Sequence, residues 1–293
     1  MSADASPRAR ARRSLDGLSI GDAFGETFAA TLAGAQTSPA RRLPPGPWRT
    51  TDDTVMALSI VENLETHESI EPDALAQAFA ARFVADPNRG YGRGAQRLLR
   101  QLAEGGDWRD LARAAFRGEG SLGNGAAMRA APIGAYYAGD PERAAQEAAL
   151  SARVTHAHPD GVAGAQAVAV AGALVHASMV PGERLAAVAQ ALAPSPVRDA
   201  LEQAATLSEC APSEAAARLG NGARVTALDT VPFALWQAAH APDFERALWS
   251  TAEAGGDTDT TCAIVGGLVA LRSDAAVALD AWRQHREPLD LVG

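Results

Sequence analysis

Lysine is missing altogether: all 26 basic side chains other than histidine are arginine, in a chain of 293 residues. We read that as codon bias in a GC-rich bacterial genome, a statement about composition and not about chemistry. Aromatic residues are scarce at 5%. Small residues must therefore close most of the core, and alanine, abundant here, allows close helix contacts and has the highest helix propensity. No strand alternation of useful length appears, so the expectation is an all-α fold. Cysteine is limited to Cys210 and Cys262. No disulfide framework is implied, and a reducing cytoplasm is the expected location. Cys262 lies in an apolar run and reads as a small buried hydrophobe. No run reaches ~18 consecutive strongly apolar residues, so no membrane span is expected. Positive charge is outweighed, leaving a formal net charge of −9. That argues against general nucleic-acid binding through the whole surface, though not against a local basic cleft. Residues 1–13 carry Arg8, Arg10, Arg12 and Arg13 without an apolar core, so they are not expected to be a secretory signal. A short disordered tail over 1–13 and a single domain over 14–293 are expected, with a monomer as the default.

What the chain does contain is two acidic stretches of similar design. Gly255-Gly256-Asp257-Thr258-Asp259-Thr260-Thr261 runs directly into the apolar Cys262-Ala263-Ile264-Val265. It reads as a loop entering a helix, with Asp259 or Thr260 at the N-cap. Thr50-Thr51-Asp52-Asp53-Thr54 leads into Val55, Met56, Ala57 and Leu58 in the same way. One cap needs one such side chain; each stretch has several. Clustered carboxylate and hydroxyl oxygens suit a hard cation such as Mg²⁺ or Mn²⁺. If the two helix starts converge, four carboxylates would carry a charge of about −4, which two divalent cations neutralise. The plainer reading is two independently capped helices.

Between them lie further signals. Gly17, Gly21 and Gly25 recur at i, i+4 in a helix expected over 15–33, which lets another backbone approach closely. Residues 34–50 read as a proline-rich loop. Helices are expected over 52–66, 72–85, 95–102, 161–179, 183–192, 196–209, 213–219, 230–240, 243–254 and 274–285, with another from Asp140 to about Val154. Two glycine-rich turns precede helices: Asp86-Pro87-Asn88-Arg89-Gly90-Tyr91-Gly92, and Ser121-Leu122-Gly123-Asn124-Gly125. Backbone N–H groups in such turns can cradle phosphate, with Ser121 and Asn124 as polar handles. Most glycine turns are only turns. His156 and His158 are spaced i, i+2, not the i, i+4 of a helical zinc pair. We therefore read His156 as a site contact rather than a metal ligand.

Taken in order, Gly21-Asp22-Ala23-Phe24-Gly25, Thr51-Asp52-Asp53-Thr54, Arg89-Gly90-Tyr91-Gly92, Gly123-Asn124-Gly125-Ala126-Ala127-Met128-Arg129, Thr155-His156 and Gly256-Asp257-Thr258-Asp259-Thr260 resemble the ADP-ribosylglycohydrolase family. The glycine loops look most like its branch that acts on serine-linked ADP-ribose, ADP-ribose polymer and O-acetyl-ADP-ribose. The resemblance implies an all-α fold with two Mg²⁺ or Mn²⁺ ions in a cleft. It assigns Thr51, Asp52, Asp53, Asp257, Asp259 and Thr260 as metal ligands. It gives the diphosphate to the Ser121, Leu122, Gly123, Asn124, Gly125 loop, the wider ADP-ribose site to Gly90, Tyr91, Gly92 and His156, and the adenine to Phe116. Two positions depart from the pattern. The branch carries a Glu where this chain has Ala29, leaving Glu26 as the available acid, and a Tyr where it has Leu122.

The activity so implied is hydrolysis at the anomeric carbon of ADP-ribose through an oxocarbenium-like transition state, releasing it from a protein or small-molecule acceptor. Glu26 or Asp53 would handle the proton of the attacking water. A non-catalytic ADP-ribose-binding or structural protein, and a metal-dependent phosphohydrolase that cuts the diphosphate, are the alternatives.

Overall fold

The computed structural model describes residues 5–33, 41–207 and 210–289. Among them there is no strand, only two isolated bridges, Trp48 with Arg286 and Gly123 with Thr226. The class is all-α. The helices are α1 (Pro7–Ala33), α2 (Asp52–His67), α3 (Pro72–Ala85), α4 (Arg93–Ala103), α5 (Trp108–Ala114), α6 (Ala131–Tyr136), α7 (Pro141–Arg153) and α8 (Pro159–Ala173). They continue with α9 (Pro181–Gln190), α10 (Pro196–Thr206), α11 (Pro212–Leu219), α12 (Ala227–His240), α13 (Phe244–Glu253), α14 (Thr258–Val269) and α15 (Ala276–Arg283).

Helix starts follow the local chemistry. Proline opens α3 and each of α7 to α11, where its missing N–H would be unpaired anyway and its φ is already helical. Asp140, Ser195, Thr226 and Asp243 accept from first-turn N–H groups of α7, α10, α12 and α13. The ends are less regular. α8 stops at Ala173 instead of reaching 179, with Leu174 at its C-cap, and the chain is extended at Val180 before Pro181. α10 stops at Thr206, and 208–209 of the helix expected there lie outside the described residues, as do 34–40 of the proline-rich loop. The short α5 and α6 were not expected; α6 has six residues, all buried, and so shows no amphipathic period.

The disordered tail expected over 1–13 is corrected from residue 7 onward. α1 begins at Pro7 and Ala11 is fully buried. Arg10 donates to the carbonyls of Ala135 at 2.9 Å and Tyr136 at 3.0 Å, and Arg13 to that of Ala270 at 2.6 Å. These carbonyls end α6 and α14, where orphan acceptors and the helix dipole both favour a cation.

The glycine stripe of α1 is a helix–helix contact. A Cβ built on Gly21 would stand 2.0 Å from the Cys262 carbonyl oxygen, and one on Gly25 would stand 2.4 Å from that of Thr258. No side chain fits, so the backbones of α1 and α14 touch, and the start of α14 lies against α1. The scarce aromatics are concentrated beside this contact. Phe24 has Trp249 and Trp282 each at 5.0 Å between centroids, and Trp48 at 5.6 Å. Such pairs add about 0.5–1.5 kcal/mol each beyond the area they bury. A second cluster of Phe79, Phe83, Leu98 and Leu99 packs α2, α3 and α4. No single described helix is long and apolar enough to cross a membrane.

Candidate active site

The first acidic helix start is held by a carboxylate from α1. Asp22, fully buried, accepts from Thr51 N at 2.9 Å, Thr51 Oγ1 at 2.7 Å, Thr54 N at 3.2 Å and Thr54 Oγ1. Four donors on two oxygens leave the Asp22 carboxylate no freedom. Thr51 in turn caps α2, accepting from Asp53 N at 3.3 Å. Its hydroxyl hydrogen and one lone pair are thus used, and one lone pair is free. From outside, Asp52 N donates to Arg89 O at 2.6 Å. Arg89 pairs with Glu287, which also accepts from Thr50 N at 2.9 Å and Thr50 Oγ1 at 2.7 Å. The C-terminal segment is thereby tied to the first acidic turn.

The second start differs from a simple cap. α14 begins at Thr258, so Asp257 takes the N-cap position expected for Asp259 or Thr260, and its side chain caps nothing. Instead Asp257 Oδ2 accepts from Asn124 Nδ2 at 2.6 Å. The plainer reading of two capping carboxylates does not describe this end of the site.

The two starts converge. Burial, the charge of Asp22 and then that of Asp259 push Asp52 up to about 8. Burial and the Asp259 charge push Asp257 up to about 7, with the Asn124 and Thr260 hydrogen bonds opposing. Asp53 is held well above the usual carboxylate range by burial, then by Asp259, Asp22, Asp52 and Asp257. Burial also takes Asp22 to about 7, against the bonds from Thr54 and Thr51. Groups from α1, α2 and α14 therefore repel one another across one buried site. No three Asp, Glu, His or Cys side chains among the described residues are drawn together closely enough to hold a metal ion. The donor set itself suits a hard cation. It is all oxygen, and Asp53 Oδ2 is buried without a partner, a costly state for a carboxylate. Glu26 is exposed at the rim, next to Gly25 where α1 meets Asp259. Partial burial and the Asp259 charge raise its pKa, and Arg49 opposes. Ala29 is exposed.

The glycine loops are mixed in their roles. Gly90, at φ 89°, lies beside Thr51 and Asp52; a Cβ there would be 3.4 Å from Asp52 Oδ1. Gly92 faces open space and precedes α4. Tyr91 is carried into the core, edge-on to Phe83 at 5.2 Å, and is only 3% exposed. Asn124 is not a free phosphate handle: its amide donates to Thr230 Oγ1 and Asp257 Oδ2. Two backbone donors expected to cradle phosphate are also already bonded, Gly123 N to Ser121 Oγ and Asn124 N to Val225 O. His156 is buried against this loop, its Nε2 3.5 Å from Cβ positions built on Gly123 and on Gly125. Phe116 is 60% exposed at φ 51°, followed by Arg117 at φ 63°. Two successive left-handed residues without glycine are strained, and strain of this kind gathers at functional sites. Leu122 is also exposed.

The loop from Gly220 to Thr226 was missed in the sequence. Asn221 O accepts from Asp257 N at 3.1 Å, and Val225 O accepts from Asn124 N. Arg224 pairs with Asp229 at 2.7 Å. Val225 sits at φ 56°, an outlier for a β-branched residue. Its signal was available: Gly220-Asn221-Gly222 repeats Gly123-Asn124-Gly125. The loop joins the two halves of the site.

Human ADP-ribosylhydrolase ARH3 is 37% identical over 179 residues, 55% of this chain and 49% of that protein. A protein of Archaeoglobus fulgidus is 30% identical over 270 residues, 88% of this chain and 85% of its own. The ADP-ribosyl-dinitrogen reductase glycohydrolase of Rhodospirillum rubrum is 30% identical over 152 residues, covering 49% and 50%. The match to human ARH3 thus spans about half of that protein's length. A solved structure described as an ADP-ribosylglycohydrolase-related protein complex matches with a TM-score of 0.65 over 95% of this chain and 96% of its own; at 23% identity it supports the fold alone. The model of the ADP-ribosylglycohydrolase family matches residues 3–291, and the chain belongs to that family.

Proposed function

We propose that the protein is a metal-dependent ADP-ribosyl-acceptor glycohydrolase. It cleaves the bond between the anomeric carbon of ADP-ribose and the oxygen or nitrogen of a modified protein or small acceptor, with serine-linked and O-acetyl-ADP-ribose favoured. The observation that carries this reading is the Asn124–Asp257 bond of 2.6 Å. It joins the 121–125 loop to the buried carboxylates, so a ligand held at the loop lies beside the acids. The names of the relatives, an ADP-ribosylhydrolase and an ADP-ribosyl-dinitrogen reductase glycohydrolase, support the same reading.

Thr51, Asp52, Asp53, Asp257, Asp259 and Thr260 would hold two divalent cations, Mg²⁺ or Mn²⁺. Bound there, the cations supply neutralising charge for the acids and Lewis-acid stabilisation of ribose oxygens. The residues do the rest. Asp22 fixes the geometry of the first acidic turn. Asp53, with an oxygen free of protein partners, or Glu26 at the rim, accepts the proton of the water that attacks the anomeric carbon. The acceptor departs with the bonding pair and takes up the proton that Asp53 or Glu26 received from the water. Phe116 and Leu122 offer exposed apolar surface for the adenine.

Asp52→Ala and Asp259→Ala test the reading. Each should abolish release of ADP-ribose and weaken Mn²⁺ binding while leaving a cooperative melt. Full turnover in either variant, or undiminished turnover after exhaustive chelation, removes the metal-dependent mechanism.

A further inference from the structure

Arg129 is a buried arginine whose purpose the acidic site does not explain. It is 1% exposed, with its guanidinium carbon 4.6 Å from the ring centroid of Phe79. It donates to Gly125 O at 3.0 Å, Ser151 O at 3.1 Å and Thr155 Oγ1 at 2.9 Å. Thr155 Oγ1 lies 2.7 Å from His156 Nδ1. The direction of that last bond can be worked out. Arginine only donates, so Arg129 occupies a lone pair of the Thr155 hydroxyl. The hydroxyl still has one hydrogen, and its one remaining neighbour within hydrogen-bond reach among the described residues is His156 Nδ1. Were Nδ1 protonated, the buried hydroxyl hydrogen would have no acceptor, which proteins avoid. Nδ1 therefore accepts, and the ring's single hydrogen is on Nε2.

Nε2 bonds to no protein group among the described residues. It lies at the loop where the Gly123 and Asn124 amides are already spent. Burial and then the charge of Arg129 push His156 down to about 3, so the ring stays neutral at working pH. The result is a donor that does not switch with pH, beside a loop whose Gly123 and Asn124 amides are already bonded.

We propose that Arg129 and Thr155 are positioning residues that hold His156 as its neutral Nε2–H tautomer, so that Nε2 donates to an oxygen of the ligand at the 121–125 loop. The ligand end of this inference rests on the function proposed above; the tautomer does not. The test is the imidazole ¹⁵N spectrum of the ligand-free protein at pH 7, with ADP-ribose affinity measured separately by calorimetry. The wild type should show an unprotonated Nδ1 and a protonated Nε2 for His156. Thr155→Val should give a mixture of tautomers and weaken ADP-ribose binding by about tenfold, the scale of one lost hydrogen bond, and Thr155→Ser should restore both. A protonated Nδ1 in the wild type, or an unchanged spectrum in Thr155→Val, overturns the proposal. The expected spectra with no ADP-ribose binding in the wild type would leave the tautomer relay standing and remove the proposed ligand.

Discussion

Asp22 takes both polar hydrogens of Thr51, the amide at 2.9 Å and the hydroxyl at 2.7 Å. A carboxylate on α1 therefore sets the first turn of α2, and the close glycine contact of α1 with α14 brings the second acidic start to the same place. Asp22 shapes the site by accepting from the amides and hydroxyls of Thr51 and Thr54.

Asp22→Asn tests that relationship. The new NH₂ must face an N–H or O–H donor of Thr51 or Thr54, so buried donors lose their acceptor. We expect a loss of about 1–3 kcal/mol in unfolding free energy and turnover reduced beyond what that loss explains. Denaturant titration beside steady-state kinetics at a permissive temperature measures both. A variant with wild-type turnover would make Asp22 a packing residue only.

The raised carboxylates predict how the chelated protein responds to pH. Asp22 and Asp257 sit near 7 and Asp52 near 8, against an ordinary value of 3.8. When the native pKa is the higher one, the native state binds more protons between the two values, so stability falls as pH rises through that window. In excess chelator the melting temperature should drop from about pH 4 to about pH 8, and Mn²⁺ added at pH 8 should raise it again. A chelated protein whose stability rises across this range would contradict the converged acids.

Both acidic helix starts were legible in the sequence because each is a local pattern, hydroxyls and carboxylates directly ahead of an apolar run. The glycine stripe of α1 was legible for the same reason. What the pattern hid were the partners. Thr51 meets Asp22 across 29 residues, and Asn124 meets Asp257 across 133. Asn124 looks like a phosphate handle until its amide is found bonded elsewhere. Arg8, Arg10, Arg12 and Arg13 look like a solvated tail until the carbonyls that bind Arg10 and Arg13 are seen at the ends of α6 and α14. Tyr91 sits among loop glycines in sequence, yet Phe83 gives its ring a place in the core.

Glu26 is exposed on α1, next to Gly25 where that helix meets Asp259, and Ala29 one turn on offers no acid. Its carboxyl is raised by partial burial and by Asp259, which suits a group that gains and returns a proton. Glu26→Gln should keep ADP-ribose binding and slow hydrolysis by about 10²-fold, the scale of losing a positioned acid or base. Near-normal turnover assigns the proton transfer to Asp53.

The account stands most directly on the bond that is cut. The purified protein, supplied with Mg²⁺ and then with Mn²⁺, is incubated with serine-linked ADP-ribosyl peptide and with O-acetyl-ADP-ribose, and the products are identified by mass spectrometry. The account predicts free ADP-ribose and the intact acceptor. AMP with a ribose phosphate left on the acceptor, or no turnover of either substrate despite tight ADP-ribose binding, would contradict it.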